Sequence, residues 1–173
     1  MTSPTDAGFR RGIRIGVDVG SVRVGVSRTD PDGLMAVPVA TLARPKAVAA
    51  PRSDLEGVAD LVAEYEPLEV VVGLPLTLEG TEGQATEAVR AWVADLHRTL
   101  ARRGRSVPVR LVDERLTTAA VTKGLRAAGR DSRSSRAVVD QAAAVMIVQH
   151  ALDTERATGA PPGTLAEPPE DLA

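Results

Sequence analysis

Two adjacent segments near the N-terminus constrain the fold more than any other feature. Residues 12–20 (GIRIGVDVG) and 22–29 (VRVGVSRT) alternate branched apolar residues with others, which is the pattern of half-buried strands. Since a single residue separates them, they predict an antiparallel hairpin. Residues 35–42 (MAVPVATL) predict a third strand, and Pro38 favours an edge position for it because proline has no N–H to donate to a second neighbour.

The rest of the chain alternates between apolar strands and amphipathic helices. Residues 68–74 form a continuous apolar run typical of a buried parallel strand, and 107–113 predict another strand. Helices are predicted from Ser53, over 84–102, over 117–128 and over 136–152. This order predicts an α/β fold with a mixed sheet, in which an antiparallel three-stranded meander joins parallel strands and helices flank both.

The ends of the chain are predicted to lie outside this fold. Residues 1–11 predict a disordered leader, 12–155 one folded domain, and 156–173 a disordered, acidic and Pro-rich tail. Removal of residues 157–173 is expected to leave stability and metal-dependent activity essentially unchanged. The start of the chain lacks the apolar run of a signal peptide, and no segment is long and apolar enough to span a membrane. A cytoplasmic protein without a membrane partner is therefore expected.

Two carboxylates occupy apolar surroundings. Asp18 interrupts a strand otherwise made of Ile, Val and Gly, where a charge is costly unless it is paired or holds a metal; a backbone-bonded Asp at a strand end is the alternative. Asp140 lies in VVDQAAAVMIV, the most apolar helix, and its nearest basic residue in the sequence is Arg136, one turn earlier. It predicts either a metal or distant base, or an ion pair with Arg136.

A further pair of acids ends the strand LVDER. Asp113 and Glu114 are adjacent, so their side chains point to opposite faces and only one of them can join a shared site. The other is expected to pair with an arginine or to cap the following helix. From the residues alone, this pair is ambiguous.

Three acids on separate elements fit metal-assisted phosphoryl transfer. The chain has no cysteine and two histidines, so a metal would be held by carboxylates, which favour Mg²⁺ or Mn²⁺. Two such ions, roughly 3.5–4 Å apart, clamp the attacking and leaving oxygens of a phosphodiester and replace a Ser/His/Asp set. Residues 97–136 contain eleven Arg and Lys against three acids, an excess that attracts a polyanion or forms an ordinary solvated face.

The loop 73–83 (GLPLTLEGTEG) follows a buried strand and precedes a helix. Its glycines and hydroxyls are able to lead backbone N–H groups and the positive end of a helix towards a phosphate. An ordinary strand-to-helix loop would have the same composition.

Four motifs, taken together and in order, resemble the YqgF/RuvX family: GVDVGSVRVGV, VVGLPLTLEGTEG, DERLTT and VVDQAAAVMIVQ. The resemblance covers roughly residues 13–153. It implies a ribonuclease H-like fold and a nuclease that resolves Holliday junction-like DNA or matures the 5′ end of pre-16S rRNA during ribosome biogenesis. It also implies that Asp18, Glu114 and Asp140 are the catalytic, metal-holding acids, with Asp113 as support.

The same resemblance extends to residues around the acids. It makes a signature loop beside the site from Gly73, Leu74, Pro75, Gly80 and Glu82, and it gives Arg115 and Thr117 the role of holding the DER segment or touching phosphate. We further expect a basic connection before the last helix to grip the substrate, through Arg126, Arg130, Arg133 and Arg136.

The substrate and the oligomeric state are left open by the residues. With one Trp, one Tyr and one Phe, there are too few aromatics to read unpaired bases by stacking. Recognition through backbone shape is expected instead, which suits a DNA junction or a structured RNA of the pre-ribosome. Cleavage of a symmetric junction requires a homodimer, whereas cleavage of an RNA precursor is compatible with a monomer.

Two other functional classes remain as alternatives. Asp18-Val19-Gly20 before a hairpin also resembles the first phosphate loop of actin-like phosphotransferases, although those proteins need two domains and a second phosphate motif. The third class is a non-catalytic module that binds RNA or regulates transcription. Cleavage of a phosphodiester substrate, or nucleotide turnover without cleavage, discriminates among the three.

Overall fold

The computed structural model describes residues 8–47, 50–116 and 133–172, and these build a six-stranded mixed sheet flanked by helices. In chain order the elements are β1 Arg14–Val19, β2 Arg23–Thr29, β3 Ala36–Ala43, α1 Ser53–Tyr65, β4 Glu69–Leu74, α2 Gln84–Arg102, β5 Val109–Asp113, α3 Arg133–Thr158 and β6 Thr164–Leu165. Short 3₁₀ turns cover Glu114–Leu116 and Glu170–Leu172. The helix expected over 117–128 lies outside the described residues.

The strand order β3-β2-β1-β4-β5-β6 confirms the predicted combination of meander and parallel strands. β1 pairs with β2, and β2 with β3, in antiparallel fashion, whereas β1, β4 and β5 run parallel. Pro38 lies on β3, at the edge of the sheet, opposite Ser27 and next to a register irregularity of β2. The edge position expected from this proline is confirmed.

Successive residues of a strand point to opposite faces of the sheet and pack in two different apolar cores. Ile15, Val17, Val70 and Val72 pack with α1 and α2 in the larger apolar core, whereas Val71 and Val112 pack under α3 in a smaller one. The α3 side is shallow because glycines lie there. A Cβ on Gly16 would stand 2.6 Å from the backbone oxygen of Ala144, so the backbone of α3 rests directly on the strands.

The tail is folded, which contradicts the disorder predicted for residues 156–173. α3 continues to Thr158, and Thr164–Leu165 then pairs antiparallel with β5. Ala166 N donates to Val109 O at 2.8 Å, and Asp171 forms an ion pair with Arg98 on α2. The disorder was predicted from the low apolar content of this segment. Composition does not show that β5 would otherwise be an open edge of the sheet, which a short strand can cover.

The leader is also partly fixed. Residues 1–7 lie outside the described part of the chain, but Arg10 donates hydrogen bonds to Glu155 on α3 and to Glu69 on β4. The disorder predicted for residues 1–11 is therefore wrong for Arg10. In the described ranges, no helix has the length and apolar character of a membrane span.

Candidate active site

Asp18 lies near the end of β1 on the face covered by α3. It shares this face with Gly16, because alternate residues of a strand point the same way, and it is 1% exposed. Its partner on β2 is Gly25. A Cβ on Gly25 would lie 2.0 Å from the backbone oxygen of Asp140 and 3.1 Å from its Cβ. Asp140 of α3 therefore stands directly over the strand residue that neighbours Asp18.

Glu114 lies on the same face of the sheet, but it follows β5, which is separated from β1 by β4. It follows β5 as the first residue of a 3₁₀ turn and is 3% exposed. Its carboxyl carbon lies 3.7 Å from where a Cβ of Gly73 would be. Gly73 belongs to β4, which lies between β1 and β5, so the carboxyl group of Glu114 lies near the middle of the sheet, and the space directly above Gly73 is filled by Ile147 of α3.

Asp113 has a different partner from Glu114. Arg115 Nη2 lies 2.7 Å from its carboxylate, and Arg115 Nε lies 3.1 Å from the other oxygen. The hydrogen bond from Arg115 lowers the pKa of Asp113 below its ordinary value. The structure thus separates two acids that are adjacent in the sequence, and it gives Asp113 the arginine partner expected for one of them.

Asp140 has a basic partner distant in the sequence, which was one of its predicted alternatives, but sequence reasoning did not identify the residue. Arg23 Nε, at the start of β2, donates to Asp140 Oδ2 at 2.7 Å. Asp140 is 2% exposed, whereas the Arg23 side chain is 28% exposed and reaches the surface. The sequence does contain one relevant signal: alternate residues of β2 point the same way, which puts Arg23 on the same face as Gly25.

The three acids together define what we call the acid end: Asp18, Glu114 and Asp140, on the α3 face where the parallel strands finish. The three acids lie towards one end of one face, with Arg23 bound to Asp140 there. They are not gathered into a closed metal cluster: within residues 8–47, 50–116 and 133–172, no group of three or more His, Asp or Glu side chains is close enough to hold a metal ion.

The signature loop adjoins the acid end and is internally hydrogen-bonded. Thr77 N donates to Thr81 O at 2.9 Å, and Gly80 N donates to Thr77 O at 2.8 Å. Thr86 of α2 donates to the carbonyl of Pro75. Gly80 has a φ of 82°, a left-handed conformation that favours glycine, and the guanidinium of Arg115 lies against it.

Several predicted substrate-binding residues cannot be placed on this site. Thr117, Arg126 and Arg130 lie outside the described residues. Arg133 begins α3, but its side chain is also outside the description. Their roles stay predictions.

The fold defines the class of protein. Thermus thermophilus RuvC, in a structure with a Holliday junction substrate, matches this chain with a TM-score of 0.54 and 15% sequence identity, over 87% of this chain and 99% of the RuvC chain. This likeness shows a shared ribonuclease H-like fold, as predicted.

The family follows from the sequence comparisons. Residues 12–154 match the model of the RuvX family, described as Holliday junction resolvase. A Streptomyces coelicolor protein is 52% identical over 155 residues, which are 90% of this chain and 88% of that protein. A Thermobifida fusca protein is 48% identical over 166 residues, 92% of this chain and 98% of that one. Both are named as candidate pre-16S rRNA nucleases. The chain belongs to the RuvX family, and the predicted resemblance is confirmed.

Proposed function

We propose that this protein is a divalent-metal-dependent endonuclease that hydrolyses phosphodiester bonds in structured nucleic acid, with Asp18, Glu114 and Asp140 as its catalytic acids. One observation supports the proposal: three buried carboxylates, each at most 3% exposed, lie on the α3 face towards the end where β1 and β5 finish. Buried carboxylates on one face disfavour one another's charged forms. A divalent cation bound among them would relieve that repulsion and would offer a positive charge to a phosphodiester.

The chemistry of the donor set fits Mg²⁺ or Mn²⁺. Carboxylate oxygens are hard ligands, and the chain contains no cysteine to select a softer metal. Asp18, Glu114 and Asp140 would hold the metal. When bound, one or two such ions supply a nucleophilic water and stabilise charge on the phosphate oxygens. Arg23 adds a positive charge at the mouth of the site, where its exposed side chain can meet a phosphate.

The proposed substrate is pre-16S rRNA, with maturation of its 5′ end as the reaction and the cytoplasm as the place. Both relatives named above support this substrate, and the RuvX description supports a DNA junction as the second candidate. The positions of the aromatic residues support recognition by shape. Trp92 is buried, Phe9 stacks on Arg14, and the Tyr65 ring receives Arg28. Each is thus engaged away from the acid end.

A cleavage assay tests this function. Purified protein is incubated with ribosomal particles that carry pre-16S rRNA and, separately, with a four-way DNA junction, in Mg²⁺, Mn²⁺ or EDTA. We expect metal-dependent cuts at the 5′ end of the RNA, and their loss in Glu114→Gln. Asp32→Asn is the matched control, because Asp32 is exposed and pairs only with the surface residue Arg11 among the described contacts. Cleavage that persists in EDTA or in Glu114→Gln would refute the proposal.

The same preparation discriminates the remaining possibilities. Nucleotide turnover without cleavage would indicate a phosphotransferase, and tight binding without either would indicate a non-catalytic module. Light scattering of the same sample then measures the molar mass of the protein and so its oligomeric state, which bears on the choice of substrate. A homodimer is required for paired cuts in a symmetric junction, whereas a monomer suffices for one cut in RNA.

A further inference from the structure

Leu78, in the signature loop, is exposed to an unusual degree for a large apolar side chain. It is 98% exposed, whereas the other exposed large hydrophobic residues of the described chain lie between 37% and 65%. Single exposed apolar residues are common on protein surfaces. Leu78 differs from that ordinary case because its loop is held in place and because of where the loop lies.

The loop is held by hydrogen bonds on both sides of Leu78. The backbone bonds between Thr77 and Thr81 and between Gly80 and Thr77 close a tight turn, and the hydroxyls of Thr77 and Thr81 lie 2.6 Å apart. Arg115 Nη1 donates to the carbonyl of Leu78 at 3.3 Å while the same guanidinium is bound to Asp113. The backbone of Leu78 is thus fixed to the end of β5, and its side chain projects from the surface.

The loop also lies beside the acid end. It follows β4, which is the strand between β1 and β5, and these two strands lead to Asp18 and Glu114. Gly73, near the end of β4, adjoins the carboxyl group of Glu114. The loop that carries Leu78 therefore leaves the sheet at the same end as the acids.

We propose that Leu78 is a wedge that packs against a base left open at a branch, a bulge or a duplex end, next to the scissile phosphate. Apolar side chains that enter a base step unstack it. A continuous duplex must lose stacking to admit the wedge, whereas a branch or an end presents an open base face without that cost. The wedge therefore makes the site prefer branched or ended nucleic acid over continuous duplex. This inference rests on the proposed nuclease function.

Binding in Ca²⁺ tests the wedge without relying on cleavage. Dissociation constants are measured for a four-way DNA junction, for an RNA duplex with a single-stranded overhang, and for a continuous duplex of each kind closed by loops. Each open base next to the branch or overhang is replaced by 2-aminopurine, whose fluorescence changes when its stacking environment changes. We expect Leu78→Ala to reduce the preference for open over continuous forms by about tenfold and to abolish the fluorescence change on binding. Leu78→Met should keep both.

Leu34→Ala is the matched control, since Leu34 is also exposed but precedes β3 instead of following β4. Equal preference and equal fluorescence in wild type and Leu78→Ala would overturn the wedge. The two proposals fail separately. A protein that needs Leu78 for binding but never cuts refutes the nuclease function, and one that cuts with an unchanged preference in Leu78→Ala refutes the wedge alone. Whichever of the two probes shows the effect identifies DNA or RNA as the source of the open base.

Discussion

Helix α3 runs along buried carboxylates at both ends of the parallel strands, and the surroundings of the carboxylates differ between the two ends. At the far end from Asp18, Glu69 and Glu155 are enclosed by three arginines, which form what we call the arginine-bound end. Arg10 Nε lies 2.8 Å and Arg14 Nη2 lies 3.0 Å from Glu155, and Arg110 Nε lies 3.0 Å from Glu69. Positive charge there is supplied by side chains on the leader, β1 and β5.

The pKa of Glu155 shows what this enclosure does. Burial by itself raises the pKa, but the hydrogen bonds from Arg10 and the charge of Arg14 outweigh burial and lower it below its ordinary value. The carboxylate is thus held in its charged form. At the acid end, by contrast, Arg23 reaches Asp140 from the surface, and Gly25 and Gly73 let α3 approach the strands closely. The first arrangement fits a structural role, and the second fits the binding of something from solution.

The comparison predicts opposite outcomes for similar substitutions, of which Asp18→Asn has the largest expected effect. Cleavage should fall by about a thousandfold or more, because several kcal/mol of metal-dependent stabilisation of the transition state are lost. The melting temperature should be unchanged or higher, since one of three neighbouring charges is removed. Asp32→Asn is the control for both measurements. A large drop in stability with activity retained would place Asp18 with the structural carboxylates.

Glu155→Gln should do the reverse. Removing one partner of a buried ion-pair network leaves arginines uncompensated, and we expect a loss of about 3 kcal/mol in the free energy of unfolding, measured in urea. Cleavage per folded molecule should be unchanged. Asp32→Asn again serves as the control, because its exposed ion pair contributes less than about 1 kcal/mol. A stable Glu155→Gln protein without activity would contradict the comparison.

Removal of residues 160–173 should lower the free energy of unfolding, because this segment contacts Arg110 of the arginine-bound end. Arg110 Nη1 donates to Pro162 O at 3.4 Å, and the pairing of β6 with β5 is lost as well. We expect a loss of about 2 kcal/mol, since two or three hydrogen bonds contribute about 1 kcal/mol each, with cleavage retained. A truncation of residues 170–173 alone, which removes the exposed Asp171 pair and the hydrogen bond from Leu172 N to Pro169 O, should cost much less. Equal stability of both truncations and the full chain would contradict this.

Arg23→Gln tests the arginine that is bound to Asp140 at the acid end. Removing its charge should tighten Mn²⁺ binding about fivefold, which corresponds to roughly 1 kcal/mol of charge repulsion near the surface. Stability should change by less than about 1 kcal/mol, because the side chain is partly exposed. Isothermal titration with Mn²⁺ measures the affinity, and Arg23→Lys should resemble wild type. Weaker Mn²⁺ binding in Arg23→Gln would show that Arg23 positions Asp140 for the metal instead of competing with it.

The smallest effect concerns pH at the arginine-bound end. The folded state holds Glu155 ionised, so its contribution is complete above the ordinary carboxyl pKa of 4.5 and is lost as pH falls through the lower pKa of the folded protein. The difference in stability between wild type and Glu155→Gln should therefore shrink below about pH 4.5. Unfolding in urea at a series of pH values measures it. A difference that grew on acidification would contradict the assigned direction.

Local patterns predicted much of this molecule, and their failures share one cause. Alternation and apolar runs predicted the hairpin and the parallel strands, and parity alone required Asp113 and Glu114 to face opposite ways. Parity did not say which of them joins Asp18, and only the family resemblance chose Glu114. The pair of Arg23 with Asp140 and the strand at Thr164–Leu165 depend on partners far away in sequence, which no local window contains.

The contact between the first hairpin and α3 also sets an order of events during synthesis. Arg23 and Asp140 are 117 residues apart, and a growing chain emerges with its N-terminus first. Asp18 and Glu114 are therefore made well before the helix that completes their surroundings. Any nascent or prematurely ended product that stops short of Asp140 lacks one of the three carboxylates. If the three acids are catalytic as proposed and the substrate is a ribosomal RNA precursor, the chain would leave its own ribosome inactive and would gain activity only when its last helix folds back onto its first strands.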